Sequence, residues 1–199
     1  MKVKAIRAQS VEARRKLIVE SAIMCFVEKG FHQTSIRDIA KRAGISLGNV
    51  YNHFENKSAL IAEIATYEAD QIDGIEQELL KNTDPTKALD RFVSLYTRQC
   101  SEPGVPLLIA EVVSEGLRNP EIGSGFMKNR SRLVSSIAVL VERLIERDDL
   151  AADISYSDYA EFILNLIEGL TMRCAIEGKN PRARDVAVLK KGIRRLVGV

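Results

Sequence analysis

The sequence is poor in the residues that mark several protein classes. Its 199 residues include 3 Cys, 12 Gly, 5 Pro and no Trp. So little glycine and proline excludes collagen-like and low-complexity chains. The three cysteines, Cys25, Cys100 and Cys174, are odd in number, far apart and set in apolar segments. We therefore expect them to be reduced core residues and not a disulfide framework.

Long apolar runs are also missing. No run approaches the ~20 residues of a membrane span, and the basic N-terminus lacks the apolar stretch of a signal peptide. Hydrophobic residues make up 46% of the chain and charged residues 28%, a balance that argues against intrinsic disorder. These features predict a soluble, cytoplasmic protein with no membrane partner.

The net charge of +2 hides an uneven distribution. Residues 1–58 hold 11 Lys and Arg against 5 Asp and Glu, whereas residues 59–199 hold 18 against 22. A basic first part joined to a mildly acidic remainder favours a polyanion such as nucleic acid as the partner of the first part. Charge alone leaves nucleic-acid binding and a chance cluster of surface charges equally open.

Helical periodicity covers nearly the whole chain, and no segment alternates apolar and polar residues as a strand would. Residues that favour helix ends recur along the sequence. The predicted caps are Ser35, Ser46, Asn56, Asp84, Asn119 and Ser155, and the predicted stops are Gly30, Gly44 and Gly178. The first helix is predicted over about 11–29, a long one over 57–81 and the last over about 184–196. We expect an all-α fold of about nine helices.

The segment 30–57 is the most informative about function. Two short predicted helices meet at residues 43–46, a turn that is too tight for a long loop. Gly44 can adopt the left-handed conformation that ends one helix and redirects the chain. Ile45 and Val50 are placed to fill the angle between the two helices. Together these are the requirements of a helix-turn-helix.

The second short helix has an exposed face that core packing explains poorly. In a DNA major groove, Asn can bond a base edge, Gly permits close approach and Leu can contact a thymine methyl. Residues of these types, with one His, lie on this face: Leu47, Gly48, Asn49, Asn52 and His53. Tyr51 and Lys57 are placed to reach phosphates. The alternative is an interhelical corner that binds nothing.

These residues form a pattern that resembles the TetR family of bacterial transcriptional regulators over about residues 11–62. The pattern is Phe31-x-x-Thr34-Ser35-Ile36-Arg37-Asp38-Ile39-Ala40-x-x-Ala43-Gly44-Ile45-Ser46-x-Gly48-x-Val50-Tyr51-x-His53-Phe54-x-x-Lys57. The remainder agrees with the family only in length, helical content and layout. The resemblance implies a homodimer, typically a repressor, that binds palindromic double-stranded operator DNA and is released by a small molecule.

The resemblance also implies a division of the chain and a set of DNA contacts. It places a three-helix DNA-binding domain at residues 1–55 and a helical effector-binding and dimerisation domain at 56–199. The implied DNA contacts are Thr34, Ser35, Arg37, Ser46, Leu47, Gly48, Asn49, Tyr51, Asn52, His53 and Lys57. Many members carry an aromatic or other residue at the position of Asn52, so the operator sequence does not carry over. Lys2, Lys4, Arg7, Arg14 and Arg15 form either a DNA-binding arm or a merely solvated terminus.

The candidate effector residues rest on weaker signals. They are aromatic or methionine residues at helical spacing and polar residues within apolar stretches: Tyr67, Phe92, Tyr96, Glu111, Phe126, Asn165 and Met172. Ordinary core packing and a solvated helix face are the alternatives. We expect a small, largely apolar effector that tilts the helix predicted over 57–81. That tilt would move two DNA-binding heads away from the 34–36 Å spacing of one DNA turn.

The predicted helix over about 155–177 is apolar over more than one face, which favours a second subunit as its partner. With the last helix and their symmetry mates it would form a four-helix interface. The candidate interface residues are Tyr159, Phe162, Ile163, Leu166, Leu170, Leu189, Ile193 and Leu196. Gly169 would let a partner helix approach closely. Burial within one subunit is the alternative.

Two other function classes have less support. Residues 44–48 match the G-x-S-x-G pattern of α/β-hydrolases, but that motif needs a preceding strand. No acid–base pair stands at a recognisable spacing, so an all-α enzyme is disfavoured. Histidines and cysteines lack metal-ligand spacing and no phosphate-binding glycine loop is present, so no metal and no cofactor are expected. A helical protein-interaction module with a basic head is the closer rival.

Overall fold

The computed structural model describes residues 2–145 and 154–199, and within these ranges the chain forms nine α-helices and no strand. The helices are α1 (Lys2–Lys29), α2 (Ile36–Ala43), α3 (Leu47–Tyr51), α4 (Lys57–Lys81), α5 (Pro85–Cys100), α6 (Val105–Arg118), α7 (Pro120–Glu142), α8 (Tyr156–Ile176) and α9 (Ala183–Leu196). The predicted all-α fold class is confirmed. No helix in the described ranges is long and apolar enough to span a membrane.

The chain divides into two compact units. The first unit consists of Met1–Tyr67 and Leu107–Phe126, and the second of Glu68–Pro106 and Met127–Val199. The division falls twelve residues after the predicted boundary at residue 55 and adds most of α6 to the first unit. The assignment of separate functions to 1–55 and 56–199 stays a prediction.

Most helix ends follow from their capping residues. Ser35 Oγ accepts from Asp38 N–H at 3.1 Å while the Asp38 carboxylate accepts from Ser35 N–H at 2.9 Å, a complete capping box at the start of α2. Ser155 and Asp158 repeat this arrangement at the start of α8. Gly44 ends α2 with φ 66°, a left-handed conformation that a side chain would oppose. The predicted ends of α2 and the start of α8 are confirmed.

The start of α1 differs from the prediction. The helix begins at Lys2 and not near residue 11, because residues 2–10 contain no Gly or Pro and extend a helix that is already nucleated. The predicted DNA-binding arm is therefore helical in its backbone. The side chains of Lys2, Lys4 and Arg7 lie outside the described part of the structure.

The first unit has its own apolar core. Side chains from α1, α2, α3, α4 and the start of α7 meet there, and its largest fully buried members are Ile18, Phe26, Ile39, Leu60 and Ile61. Cys25 is buried in the same core, and all three cysteines of the chain are buried and free. All three are thus buried as predicted, and their reduced state stays a prediction.

The second unit has a separate core. It is formed by α5, α8, α9 and the parts of α4 and α7 that belong to this unit, with Phe92, Leu133, Ile137, Ile163, Leu164, Ile167 and Ile193 fully buried. Phe92, a predicted effector residue, is thus a core residue. Ile163 and Ile193, predicted at a dimer interface, are also fully buried in one subunit. The prediction for these two was wrong because α8 packs one of its apolar faces against α5 and α9.

Candidate nucleic-acid interface

The helix-turn-helix is built by α2, α3 and the three residues between them. Ile39 and Ala40 of α2 and Val50 of α3 are buried between the helices and the rest of the first core. Ser46 begins α3 by accepting a hydrogen bond from Asn49 N–H at 3.2 Å. This packing fixes the angle of α3 and leaves its other face available to a partner.

The predicted DNA contacts fall into three groups by exposure. Six are exposed: Ser35, Arg37, Ser46, Gly48, Tyr51 and Asn52. Four are half-buried: Leu47, Asn49, His53 and Lys57, and Thr34 is buried. A Cβ atom at Gly48 would meet nothing within 4 Å. The exposed residues therefore include a glycine, an amide and an aromatic ring that are not buried against the rest of the protein and can contact a partner.

Thr34 has an intramolecular role that the sequence did not reveal. Its side chain is 2% exposed, and Oγ1 lies 2.8 Å from Gly30 O and 3.0 Å from Cys25 O, to which it donates. Cys25 lies four residues before the last residue of α1, and Gly30 is the residue that ends the helix. Thr34 thus helps to end α1, and its predicted contact with DNA stays a prediction.

Lys57 also has protein partners. Its Nζ donates to Phe31 O and to Thr34 O (2.9 Å), and it lies 4.2 Å from the centroid of the Phe31 ring. Burial lowers the pKa of the Lys57 ammonium from its usual value. The ammonium therefore holds the carbonyl groups of the turn after α1. Its predicted phosphate contact stays a prediction.

Arg15, one of the candidate arm residues, connects α1 with α4 and with the end of the helix-turn-helix. Its guanidinium donates to both carboxylate oxygens of Glu63, at 2.9 and 2.6 Å, and to His53 O at 3.2 Å. It also lies 4.4 Å above the Phe54 ring. A bidentate Arg–carboxylate pair of this kind is rigid, so Arg15 braces the first unit and does not extend as an arm.

Glu111, predicted for an effector site, lies in the first unit and contacts the turn after α1. Its Oε2 accepts a hydrogen bond from Phe31 N–H at 2.8 Å. One helical turn further along α6, Glu115 Oε1 lies 2.8 Å from His32 Nε2. Sequence reasoning missed these contacts because they join positions about 80 residues apart.

The other predicted effector residues are divided between the two units. Tyr67 and Phe126, like Glu111, belong to the first unit, whereas Phe92, Tyr96, Asn165 and Met172 belong to the second. Within the second unit, the rings of Phe92 and Tyr96 are stacked with centroids 5.5 Å apart.

Arg130 brings several polar groups of the second unit together. Its Nη1 donates to Glu168 at 2.7 and 2.8 Å, and its Nη2 donates to Glu161 at 2.7 Å and to Asn165 at 2.8 Å. Tyr96 OH donates to the same Glu168 at 2.9 Å. Sequence reasoning found Tyr96 and Asn165 but missed the arginine that links them.

Glu68 is a partly buried carboxylate in this polar region. It accepts from Asn129 Nδ2 at 2.9 Å, and no ion pair to it is found among the described residues. Burial raises the pKa of Glu68 above its usual value, and it raises the pKa of the nearby Cys100 thiol to about 12. In residues 2–145 and 154–199, no three His, Cys, Asp or Glu side chains are grouped as metal ligands would be.

The predicted dimer residues on α8 and α9 separate into exposed and buried sets. Phe162, Leu166 and Leu196 are exposed, and Tyr159, Leu170 and Leu189 are half-buried. The structure adds Ile176 and Val188, which are 81% and 64% exposed. A Cβ at Gly169 or Gly192 would meet nothing within 4 Å. Both helices therefore keep an exposed apolar surface with room for a close partner.

Comparison with known proteins identifies both parts of the chain. The family model of the bacterial regulatory proteins of the tetR family matches residues 18–64, and the model of the C-terminal part of BetI-type transcriptional repressors matches residues 106–198. The HTH-type transcriptional regulator UidR of Escherichia coli (strain K12) is 26% identical over 188 residues, which cover 92% of this chain and 91% of UidR.

Solved structures show the same fold. FadR from Bacillus subtilis in complex with stearoyl-CoA aligns with a TM-score of 0.72 at 18% identity, over 92% of this chain and 96% of FadR. A transcriptional regulator from Saccharomonospora viridis in complex with choline aligns with a TM-score of 0.73 at 23% identity, over 94% of this chain and 96% of that one. Because family models match both its helix-turn-helix and its C-terminal part, the chain belongs to the TetR family of bacterial transcriptional regulators.

Proposed function

We propose that this DNA-binding transcriptional regulator is a homodimeric repressor that reads a palindromic operator with α3 and is released by a small-molecule effector. The observation that carries the proposal is the surface of α3. Buried Val50 and Phe54 fix the helix-turn-helix, while Gly48, Tyr51 and Asn52 stay exposed. A small residue one helical turn from hydrogen-bonding ones suits close approach to base edges in a major groove.

Asn52 and Arg37 allow a test that separates base contacts from phosphate contacts. Duplexes bound by the wild-type protein are selected from a random library, and their affinities are measured by fluorescence anisotropy over a range of salt concentrations. Asn52→Ala should weaken the selected site by about 1–3 kcal/mol and relax preference at one position per half-site. Arg37→Ala should weaken all sequences and reduce the salt slope by about 0.9 for each phosphate that the arginine neutralises.

Asn180→Ala, an exposed amide of the second unit, is the matched control and should leave affinity and slope unchanged. If Asn52→Ala changed neither affinity nor preference, the assignment of α3 as the recognition helix would be wrong. Failure of the wild-type protein to select any DNA would favour the rival, a protein-interaction module with a basic head.

Support for a homodimer comes from the exposed apolar surface of α8 and α9. Phe162 and Leu166 lie four residues apart on α8, and Val188 lies on α9. Gly169 and Gly192 leave open space beside this surface. A two-fold interface places the same patch of both subunits in contact, so one apolar patch is enough to build it.

Support for an effector comes from the polar region of the second unit. The Arg130 guanidinium pairs with the carboxylates of Glu161 and Glu168, and a third carboxylate, Glu68, interacts electrostatically with Glu168. The half-buried Tyr96 lies beside Glu168, to which its OH donates. Excess negative charge next to an aromatic ring suits a ligand with a cationic end and an apolar remainder. The choline-bound structure of the same fold supports this class of ligand.

A further inference from the structure

The turn between α1 and α2 is held from outside by side chains that come from distant parts of the chain. Phe31 is 6% exposed, and its N–H follows Gly30, whose φ of 78° ends α1. Among the described residues the Phe31 N–H bonds no backbone carbonyl, so Glu111 Oε2, at 2.8 Å, satisfies a backbone group that would otherwise be buried without a partner. A Cβ at Gly30 would lie 3.2 Å from Glu111 Oε1, so the carboxylate fits closely against the glycine.

The opposite side of the same turn is held by Lys57. Its ammonium donates hydrogen bonds to the carbonyl oxygens of Phe31 and Thr34. The turn is therefore bound on both of its polar groups: Glu111 of α6 accepts from its N–H, and Lys57 of α4 donates to its C=O groups. Ser35, the N-cap of α2, follows Thr34 directly. The position of the first turn of α2 is therefore tied to both contacts.

Two features fix the orientation of α6 within the first unit. Glu111 and Glu115 are four residues apart and lie on one face of α6. Glu115, which is 6% exposed, contacts His32 and so joins α6 to the turn at a second point. On another part of α6, a Cβ at Gly116 would lie 3.3 Å from Gly123 Cα. Glycine at both positions allows the start of α7 to lie directly against α6.

We propose that Glu111 is a positioning residue for DNA binding, which from α6 holds the α1–α2 turn and thereby the first turn of α2. The DNA-binding unit of this protein then includes α6 as well as the N-terminal helices. This inference rests on the proposed function, since it concerns how well the exposed residues of α2 and α3 meet DNA.

The sign of the effect distinguishes positioning from charge. Removing a carboxylate from a DNA-binding unit should strengthen DNA binding if only its charge mattered. Glu111→Gln and Glu111→Met both remove the charge, but only Gln keeps an oxygen that can accept from Phe31 N–H. We expect Glu111→Gln to bind the selected operator within twofold of wild type or more tightly. Glu111→Met should bind it about five- to tenfold more weakly, the effect of removing one hydrogen bond.

Hydrogen exchange measured by mass spectrometry gives a readout that does not depend on DNA. The amides of the turn at residues 30–34 should exchange faster in Glu111→Met than in wild type or Glu111→Gln. Glu121→Gln, an exposed carboxylate on α7 in the same unit, is the control for loss of charge. Thermal unfolding shows that each variant is folded at the assay temperature, and Glu111→Ala replaces Glu111→Met if the latter is not.

The outcomes separate this inference from the proposed function. The role of Glu111 is overturned if Glu111→Met binds the operator with wild-type affinity. It is also overturned if Glu111→Gln binds as weakly as Glu111→Met, or if the amides of the turn exchange at the same rate in all of the proteins. If the wild-type protein selects no DNA at all, the proposed function fails and this inference fails with it. A wild type that selects an operator, with a Met variant that binds equally well, leaves the proposed function standing and removes only the role of Glu111.

Discussion

The partly buried carboxylate of Glu68 should make stability depend on pH. Burial raises the pKa of this group in the folded state, so the folded protein binds more protons than the unfolded chain once pH exceeds the ordinary glutamate pKa of about 4.3. The free energy of unfolding then falls as pH rises from that value through the raised pKa. Glu68→Gln removes the penalty and keeps an oxygen that can accept from Asn129.

Chemical denaturation at pH 4 and pH 7.5 tests this prediction. Glu68→Gln should be more stable than wild type at pH 7.5, and the difference should shrink at pH 4, where both states of the wild type largely hold the proton. Glu121→Gln, which replaces an exposed carboxylate, should show no such dependence. An equal difference at the two pH values would show that Glu68 titrates normally in the folded protein.

Sequence patterns identified exposed residues better than they identified the hydrogen-bond partners of buried ones. Gly48, Tyr51 and Asn52 were recognised because a short helix with buried Val50 must leave its other face free. Thr34 and Lys57 belong to the same pattern, yet they bond the turn after α1. Nothing local distinguishes a lysine that bonds carbonyl groups 23 to 26 residues away from one that is free to bind phosphate.

At the scale of helices, capping residues determined most of the ends but not the faces. Ser35 and Ser155 begin α2 and α8 as predicted, because capping is a local interaction. The two apolar faces of α8 could not be told apart from the sequence. One contains Ile163, which is fully buried, and the other contains Phe162 and Leu166, which are exposed.

The exposed face of α8 leads to a prediction about assembly. Leu166→Glu places a charge on the exposed apolar surface and leaves the core untouched, so it should give a folded monomer where the wild type is a dimer. Sedimentation velocity at micromolar concentration measures the state, and circular dichroism confirms the fold. Val139→Glu, which changes an exposed apolar residue of α7 in the same unit, should stay dimeric.

A monomeric wild type at that concentration would contradict the dimer, and a dimeric Leu166→Glu would place the interface elsewhere. Ile163 and Ile193 are unsuitable for this test because both are fully buried in one subunit. A charge at either position would unfold the second unit whatever its assembly.

At the scale of the whole chain, no local pattern indicated that residues 107–126 belong with the N-terminal helices. Within the first unit this segment contacts the turn after α1 through Glu111 with Phe31 and Glu115 with His32. Each of these contacts joins positions about 80 residues apart, and hydrophobic periodicity carries information only within an element. Local signals therefore predicted the helices and the DNA-binding motif, but not the membership of the units.

The polar region of the second unit makes a prediction about ligand charge. Choline and its neutral isostere 3,3-dimethylbutan-1-ol have the same shape, so calorimetry with both isolates the effect of charge. Choline should bind more tightly if Glu68 and Glu168 recognise a cation, and Glu68→Gln should reduce that preference. Equal binding of the two compounds, or binding of neither, would contradict a cationic effector.

Linkage between the effector and the operator tests the regulatory mechanism itself. A ligand weakens operator binding only if it binds the DNA-free state more tightly than the DNA-bound state, and a tenfold change needs about 1.4 kcal/mol of coupling. The coupling is reciprocal, so saturating operator must weaken choline binding by the same factor by which choline weakens operator binding. Tyr67 lies on α4 and is the last residue of the N-terminal segment of the first unit. Tyr67→Ala should reduce the effect of choline on operator binding and the effect of operator on choline binding by the same factor, while DNA binding persists. Equal choline affinity with and without operator would mean that choline does not regulate operator binding by this protein.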